Sequence, residues 1–426
     1  MRAARPDPPT IVVWLCALAA LVRLIFLFVV RPPFETLYWD LSTSLLRDGT
    51  LAIDGARTTS FEPVYPLFLA ALRLLSRDHA LLVQVFQTVL ASLGTAYIYK
   101  VAQALTGRGQ VAIIAALLFA IHPLLVRQAA APADLTLVTT LLVAFAYCFV
   151  TGVTTARIAL AGFVLGLAVL TRAMTVPIVA FAAALLLAER RFRAAFALTA
   201  VVAALVLPFL VRNQSVNGSW WPTRSGLNLY IGNSPYTAAL LPHDDLDQLD
   251  AQASALIAGE LSQVSMSSPE FERAADRLLT RHAVDYMAEH PLKTLRQKFL
   301  NTLYFFSPWL VPFDVGTSET RVEIDPSGRI VVLNAQPRPA VEVVAYAAFY
   351  TPVLAAALVG IYLRRRDLRP DAMLWCIAAT FVAVHALYIP ATRYRAPMEF
   401  VLLFYAAVAL ERLLPEPDYT ARQEPD

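Results

Sequence analysis

The sequence has 426 residues, of which 58% are hydrophobic and only 16% are charged, and its mean hydropathy is +0.57. These values exclude an ordinary soluble domain of this length and indicate a polytopic membrane protein. The formal net charge is +3, and the arginines stand in short clusters between apolar segments. Such clusters are typical of membrane-anchored loops, so nucleic acid is excluded as a partner.

Ten apolar segments follow one another along the chain, and each predicts a membrane span. A helix needs about 20 apolar residues to cross a hydrocarbon core of about 30 Å. We therefore predict an all-α polytopic protein with about ten transmembrane helices. The first segment is too long for a signal-peptide core and has no small-residue cleavage site after it, which predicts a retained helix. The predicted spans are residues 11–30, 80–105, 111–125, 135–152, 157–170, 175–189, 193–211, 341–363, 372–389 and 397–413.

Two long, more polar segments separate these spans. Residues 31–79 predict a first outer loop with short interfacial helices, and residues 212–340 predict an insert. The insert carries an amphipathic helical pattern near residues 269–289 and a turn at Asp325-Pro-Ser-Gly328 between two strand-like segments. The predicted units are a transmembrane catalytic module over 1–211, the extracytoplasmic insert over 212–340, C-terminal helices over 341–413 and a cytoplasmic tail over 414–426.

The basic residues of the short loops predict the orientation, since Lys and Arg resist translocation. With both termini in the cytoplasm, the two long segments face outward and the short basic loops face inward. The segment 299–313 is then expected to lie on the membrane rather than to cross it. Arg greatly outnumbers Lys, which suggests a GC-rich bacterial genome and hence the plasma (inner) membrane. The inward-facing basic residues are Arg108, Arg157, Arg190, Arg191, Arg193, Arg364, Arg365, Arg366 and Arg369.

The metal-binding residue types form few groups. Cys16, Cys148 and Cys376 lie in three separate apolar segments, so neither a disulfide framework nor a zinc site is indicated. His243-Asp-Asp245 has the composition of a metal site, but it also begins a helical pattern and is read more simply as a cap. The sequence therefore predicts no definite cofactor and leaves a divalent cation as an option.

Three arginines stand at helix ends on the predicted outer face, where the positive-inside bias would remove them. They are Arg172, Arg393 and Arg395. An arginine near a helix end commonly extends to the interface, and this is the simpler explanation for each one alone. Three together favour an anionic ligand, because guanidinium binds phosphate oxygens bidentately and keeps its charge.

Carboxylates stand on the same predicted face. Glu35 and Asp40 follow the first span, and Asp134 begins the fourth, where it could equally act as a helix cap. A transfer of a sugar to a hydroxyl needs a carboxylate as base and cations or a metal on the leaving phosphate. The outer face supplies both kinds of group.

A series of short motifs resembles a known family, the bacterial relatives of protein O-mannosyltransferase and lipid A aminoarabinose transferase, with the C-type glycosyltransferase fold. The motifs occur in the family's order and cover nearly the whole chain. They are Glu35-Thr-Leu-Tyr-Trp-Asp-Leu-Ser-Thr-Ser-Leu-Leu46, Glu62-Pro-Val-Tyr-Pro-Leu-Phe-Leu69, Leu165-Gly-Leu-Ala-Val-Leu-Thr-Arg172, Arg212-Asn213, Gly226-Leu-Asn-Leu-Tyr-Ile-Gly-Asn-Ser-Pro235, His290-Pro-Leu-Lys293 and Arg393-Tyr-Arg-Ala-Pro397.

The resemblance implies a function. Such enzymes pass a sugar, usually with inversion, from a polyprenyl-phosphate carrier to a lipid, glycan or protein acceptor outside the membrane. It implies that Glu35 is the catalytic acidic residue, with Asp40 and Asp134 as alternatives. It also implies that Arg172, Arg393 and Arg395 hold the donor phosphate. The predicted substrate-binding residues are Tyr65, Asn228, Tyr230 and Asn233.

One departure from the family pattern keeps other functions open. Phe34 stands where many relatives carry Asp, so a catalytically inactive relative in cell-envelope assembly is one alternative. A flippase or transporter of a lipid-linked saccharide is another, since it would also bind phosphate. A transporter should carry ionisable residues near the middle of its spans, and the span interiors are expected to be nearly free of charge. Trp220, Trp221 and Tyr230 are expected to form an interfacial aromatic belt or to stack on substrate.

Overall fold

The computed structural model describes residues 8–32, 36–243, 246–266, 268–315, 320–325, 330–366 and 368–414, and this part of the chain is mostly helical. Two 3₁₀ helices, Ala173–Thr175 and Thr392–Met398, join longer elements. The α-helices are α1 (Pro8–Val30), α2 (Thr36–Asp48), α3 (Val64–Leu75), α4 (Ala80–Ala91), α5 (Leu93–Thr106), α6 (Gly109–Ile121), α7 (Pro123–Ala130), α8 (Asp134–Val150), α9 (Thr155–Thr171), α10 (Val176–Ala188), α11 (Phe192–Asn217), α12 (Ser225–Gly232), α13 (Thr237–Leu240), α14 (Leu246–Glu260), α15 (Pro269–Glu289), α16 (Pro291–Phe305), α17 (Ala340–Arg364), α18 (Ala372–Leu387) and α19 (Glu399–Glu411).

In the part of the chain that the structure describes, the strands form three antiparallel pairs, all in the two long segments between spans. β1 (Ala52–Ile53) pairs with β2 (Ala56–Arg57), and β3 (Asp314–Val315) pairs with β6 (Gln336–Pro337). The predicted hairpin of the insert is present, because β4 (Arg321–Ile324) pairs with β5 (Ile330–Leu333). Most of its predicted turn lies outside the described residues.

Every predicted span coincides with one or two helices. However, when the helices are judged by length and composition, fewer than ten crossings are supported. Four described helical segments, Pro9–Val30, Ala80–Thr106, Phe192–Asn217 and Ala340–Arg364, are long and apolar enough to cross a membrane. A fifth crossing is obtained if α6 and α7 form one bent span. The shorter apolar helices include α8, α9 and α18, so the predicted count of about ten is not confirmed.

The bend between α6 and α7 has a local cause. The two helix axes differ by 52°, and His122 between them has an extended backbone (φ −59°, ψ 119°). Pro123 follows directly, and a proline disfavours helical geometry in the residue before it. The break leaves carbonyl groups at the end of α6 without helical partners, and Arg23 of α1 donates to Phe119 O and Ala120 O at 3.1 Å each.

The interior of the bundle is built around α19, which is buried along nearly its whole length. It packs on α17 at Gly360, where a Cβ atom would lie 1.8 Å from the carbonyl oxygen of Tyr405. Only glycine allows this approach of the two backbones. A similar contact brings Gly162 of α9 against Leu198 of α11.

The expectation of nearly uncharged span interiors is wrong. Arg23 lies in the middle of α1 and is 1% exposed, and Arg395 and Glu399 are both fully buried. Arg364 forms a further buried pair with Asp371, whose carboxylate also accepts from Tyr405. The reason is that each charge is compensated by protein groups, which lowers the cost of burying it.

The insert is a separate layer of helices over one end of the bundle. The predicted helix near 269–289 is confirmed as α15, and α12 packs on it at Gly226, where a Cβ atom would lie 2.1 Å from Asp276 O. The helix α11 continues to Asn217, six residues beyond the predicted boundary of the insert. One face of α16 exposes Leu292, Leu295, Phe299 and Leu303, so a position at the membrane surface stays a prediction for this segment.

Candidate active site

Glu62 lies at the point where the first outer loop meets the break between α9 and α10. Its Oε1 atom accepts the backbone N–H of Ala173 at 2.8 Å. Arg172 has an extended backbone (φ −157°, ψ 105°), which ends α9 and turns both its own side chain and the next N–H out of the helical hydrogen-bond pattern. The chain therefore presents a cation and a backbone donor beside the same carboxylate.

A second carboxylate lies beside the same arginine. Asp134 is 6% exposed, and its Oδ2 atom lies 3.5 Å from Nη1 of Arg172. Asp134 is the first residue of α8 and not its N-cap, which is Ala133. Its negative charge suits the first turn of a helix, but its nearest charged partner is Arg172 of another element. The capping role considered from the sequence is therefore not the one observed.

The 3₁₀ helix before α19 brings further groups to this place. The guanidinium of Arg172 lies 4.9 Å from the ring centroid of Tyr394, and that of Arg393 lies 5.1 Å from the same ring. Arg393 also donates to the Tyr394 hydroxyl at 3.3 Å. Two arginines thus approach one aromatic ring from neighbouring elements, an arrangement stabilised by cation–π attraction.

The insert contributes a third arginine. Arg224 precedes α12, and its guanidinium lies 4.9 Å from the ring centroid of Phe61, the residue before Glu62. It acts electrostatically on the phenols of Tyr38 and Tyr394. Arg224 therefore belongs to the same cluster as Arg172 and Glu62, although it comes from a different layer of the fold.

The environment changes the proton affinities of the site. Burial raises the pKa of the Glu62 carboxyl to about 7, although the hydrogen bond from Ala173 favours its ionised form. Burial alone would also raise the pKa of Tyr394, but Arg393, Arg172 and Arg224 outweigh it, so the pKa of this phenol lies below its ordinary value. The arginines of the cluster therefore favour negative charge beside them, and burial brings the pKa of Glu62 close to neutral pH.

The predicted catalytic residues fall in different places. Asp134 belongs to the cluster, as described. Asp40 is exposed on α2, two residues beyond Tyr38, so its side chain leaves the helix about 200° away from the tyrosine that faces the cluster. Glu35 and the unusual Phe34 lie outside the described residues.

The predicted phosphate-binding arginines also differ. Arg172 and Arg393 lie in the cluster, but Arg395 points the other way into the core and is fully buried. Its Nε donates to Glu399 at 2.5 Å, its Nη1 donates to Phe305 O, and its Nη2 donates to the Tyr346 hydroxyl. These bonds argue against a phosphate contact by Arg395, because its donors already have protein partners.

The predicted substrate-binding residues lie away from the cluster or inside the packing. Tyr65 is fully buried and donates to Gln87 at 2.7 Å, and Tyr230 packs on α15 at Leu279. Asn233 is 2% exposed and donates to Leu229 O and Leu387 O, while Asn228 is half-buried on α12. These contacts support structural roles, and binding by any of the four stays a prediction.

Metal binding is supported only weakly by the residue types present. Within the described ranges no group of three or more His, Cys, Asp or Glu side chains is close enough to hold an ion. Glu62 and Asp134 are two carboxylates at one site, and Mg²⁺ commonly uses one or two carboxylates together with substrate phosphate. His243 lies 3.4 Å from Asp314, and the two aspartates that follow it are outside the described residues. A divalent cation therefore stays an option.

Two residues of the cluster received no role from the sequence. Glu62 stands in one of the family-like motifs, directly before a proline, but in that motif the sequence predicts a binding role only for Tyr65. Arg224 stands in the predicted insert, where the sequence assigns it no role. An acidic residue inside a motif and an arginine near an otherwise apolar helix were the available signals, and neither reveals which partner it meets in the fold.

The comparisons agree with the motifs. The sequence profile of the dolichyl-phosphate-mannose-protein mannosyltransferase family matches residues 60–211, a segment that contains Glu62, Asp134 and Arg172. The predicted family resemblance is confirmed. A sequence search of characterised proteins found no match.

A search of solved structures found an archaeal oligosaccharyltransferase with a similar fold. The oligosaccharyltransferase of Archaeoglobus fulgidus tethered to an acceptor peptide is 16% identical, with a TM-score of 0.52 over 94% of this chain and 49% of that chain. The same enzyme in complex with zinc and sulfate is 15% identical, with a TM-score of 0.50 and the same coverage. The chain thus spans about half the length of that enzyme. ArnT of Cupriavidus metallidurans bound to undecaprenyl phosphate is 14% identical, with a TM-score of 0.42 over 94% and 78%.

Together, the family match over residues 60–211 and the apolar helices support a multi-pass membrane protein.

Proposed function

We propose that this protein transfers a sugar from a polyprenyl-phosphate donor to a hydroxyl of a lipid, glycan or protein acceptor on the outer face of the bacterial inner membrane. The observation that carries the proposal is the cluster of two carboxylates, Glu62 and Asp134, with three arginines, Arg172, Arg224 and Arg393. Such a set offers a base for the acceptor and cations for the leaving phosphate.

Glu62 is proposed as the general base in place of Glu35. Its pKa of about 7 is suited to accepting a proton near neutral pH and to releasing it after each turnover. The bond from Ala173 fixes one of its oxygens, so the orientation of the carboxylate is set before substrate arrives. Asp134 is the second candidate, but its ion pair with Arg172 favours a role in holding that arginine in place.

The arginines are proposed to bind the donor phosphate. Arg172 and Arg393 lie against the ring of Tyr394, and Arg224 acts electrostatically on the same phenol. Guanidinium keeps its charge and donates in a planar fork that matches phosphate oxygens. Tyr394, against whose ring Arg172 and Arg393 both pack, holds these two side chains near each other.

The reaction is proposed to invert the anomeric centre in one displacement. The acceptor oxygen forms a bond to the anomeric carbon while the bond from that carbon to the phosphate oxygen breaks. The acceptor proton passes to the Glu62 carboxylate, and polyprenyl phosphate leaves with the bonding electron pair. The negative charge that develops on the leaving oxygen is stabilised by Arg172, Arg224 and Arg393.

The proposal is tested with the full chain reconstituted in proteoliposomes with radiolabelled polyprenyl-phosphate hexoses and pentoses. The wild type should release polyprenyl phosphate and form a product of inverted configuration, measured by NMR. Glu62→Gln should form none, and Glu189→Gln, an exposed carboxylate at the end of α10, should behave like the wild type.

Two results would overturn the proposal. Movement of intact donor across the bilayer with no cleavage would favour a flippase. Donor binding without either movement or cleavage, over all donors and acceptors offered, would favour an inactive relative that acts in envelope assembly.

A further inference from the structure

One carboxylate of the insert bonds to both segments that bring the site together. Glu272, in the first turn of α15, accepts from the Thr58 hydroxyl at 2.5 Å and from the backbone N–H of Thr59 at 2.8 Å. It also accepts from the Thr59 hydroxyl at 3.1 Å and from the Thr223 hydroxyl at 3.2 Å. The three threonines are almost fully buried, so these donors depend on Glu272 and on one another.

The threonines that bond to Glu272 are close in sequence to Glu62 and to Arg224. Thr59 lies three residues before Glu62, and Thr223 lies directly before Arg224. The Thr59 and Thr223 hydroxyls also contact each other at 2.9 Å. The same small network therefore holds the loop segment that leads to the proposed base and the residues that precede the insert's arginine.

The end of α11 supports the network from a second side. Arg212 donates to Thr58 O at 2.6 Å and to Leu51 O at 3.3 Å, and Asn217 donates to the Thr59 hydroxyl at 2.5 Å. These bonds reach only the first outer loop. Direct bonds also join the loop to Thr223, whose backbone N–H donates to Thr59 O at 3.3 Å and whose hydroxyl lies 3.1 Å from that of Ser60. Glu272 adds a carboxylate that accepts from both segments at once and so strengthens the coupling of Glu62 to Arg224.

We propose that Glu272 is a positioning residue of the transfer reaction, whose carboxylate fixes Glu62 and Arg224 relative to each other across the boundary between the first outer loop and the insert. The inference rests on the proposed function, because it assigns Glu62 and Arg224 to the base and the phosphate. Bonds to a carboxylate are short and strong, and a buried donor that loses its acceptor is destabilised.

A simpler explanation is that an acidic residue favours the N-terminal turn of α15 through the helix dipole. Glu270 serves as the control for this explanation. It lies in the same first turn and its side chain is exposed. The dipole effect applies to both residues, whereas the contacts with Thr58, Thr59 and Thr223 are specific to Glu272.

The experiment compares Glu272→Gln with Glu270→Gln in reconstituted full-length protein. Three properties are measured: the pH dependence of kcat/KM, the melting temperature, and hydrogen exchange of peptides covering residues 55–66 and 219–230. Glutamine has the shape of glutamate but presents an N–H₂ group to donors, so Glu272→Gln should lower kcat at pH 8 by tenfold or more. Exchange should accelerate in both peptides, and Glu270→Gln should change neither.

The pH profile separates positioning from mere stability. If the loop loosens, water reaches Glu62, and the low-pH limb of kcat/KM should move down from about pH 7 toward the ordinary range of a carboxyl group. Asp134, Arg172 and the Ala173 N–H, which face Glu62 from other elements, are unchanged in this variant. A lower melting temperature with an unmoved limb, or exchange that accelerates in only one peptide, would overturn the inference.

Hydrogen exchange does not depend on turnover. If the wild type transfers no sugar, the proposed function fails, and with it the assignment of Glu272 to the reaction. The coupling of the two segments is then still decided by whether both peptides respond to Glu272→Gln.

Discussion

The carboxylate of Glu62 accepts the backbone N–H of Ala173 across 111 positions of sequence. This single bond joins the first outer loop to the break between α9 and α10, where Arg172 leaves the helix. It also fixes the orientation of a carboxyl whose pKa burial raises to about 7. The backbone at the end of α9 thus fixes the position of the proposed base before any substrate binds.

The first prediction concerns pH. A carboxyl group must be ionised to act as a base. Because the pKa of Glu62 is raised to about 7, half of this group is ionised only at about pH 7. The value of kcat/KM should therefore fall about tenfold for each unit below pH 7 and level off above it. Glu62→Gln should lower turnover by about a hundredfold or more at pH 8, and what activity remains should lack this limb.

The corresponding test of the other carboxylates uses Asp134→Asn, Asp40→Asn and Glu35→Gln in the same assay. Asp134→Asn should weaken donor binding through Arg172, and Asp40→Asn should have little effect, since its side chain is exposed on α2. Normal transfer by Glu62→Gln together with its loss in Glu35→Gln would return the base to Glu35.

The second prediction concerns Arg224. Loss of one charge-assisted contact with phosphate costs roughly 1.5 to 3 kcal/mol, which corresponds to about ten- to hundredfold in affinity. Arg224→Ala should raise the donor Kd by about this factor, with lysine restoring only part, since an ammonium group lacks the planar fork. Arg277→Ala, an exposed arginine of α15, is the control and should bind donor normally. Equal affinities for both variants would remove Arg224 from the phosphate site.

The two arginines of one 3₁₀ helix show what sequence could and could not predict. Arg393 and Arg395 are equivalent by composition and spacing, and both were predicted to hold phosphate. In the fold one is exposed near Tyr394 and the other is fully buried with Glu399. A two-residue step in a tight helix turns the side chain to another side. Which of the two arginines then faces the core depends on how the 3₁₀ helix packs, and the sequence does not reveal that.

The helices themselves were predictable because apolar composition over about 20 residues is a requirement of the bilayer and is visible locally. The breaks were harder to predict. Pro123 explains the bend after α6, whereas the extended backbone of Arg172 has no proline beside it. Long-range contacts such as that of Glu62 with Ala173, or of Glu272 with Thr59, depend on packing and leave no periodic signal.

The third prediction concerns Arg395. If Arg395 held the donor phosphate, as the family resemblance implies, Arg395→Ala would lose donor binding and stay folded. The structure favours loss of stability, because the variant leaves Glu399 buried without its ion-pair partner, a change that typically costs 3 to 5 kcal/mol. The melting temperature in detergent should fall clearly for Arg395→Ala and recover in large part when Glu399→Gln is added.

Arg393→Ala is the matched control for this prediction, because it lies two residues away and is exposed. It should weaken donor binding with little change in melting temperature. An Arg395→Ala protein that melts like the wild type but fails to bind donor would restore Arg395 to the phosphate site.

The last prediction concerns the orientation of the insert. The basic loops around residues 190–193 and 364–369 flank the insert and its adjoining spans, and they predict that α15 and Glu272 lie outside the membrane. Ser267, just before α15, is outside the described residues, whereas Ala288 near the end of α15 is exposed and suited to labelling. In a chain whose three cysteines are replaced, Ala288→Cys should react with an impermeant maleimide in intact spheroplasts. A cysteine at Arg190 should react only after lysis. The reverse pattern would place the Glu62 cluster on the cytoplasmic side, where the acceptor and the carrier would have to be sought instead.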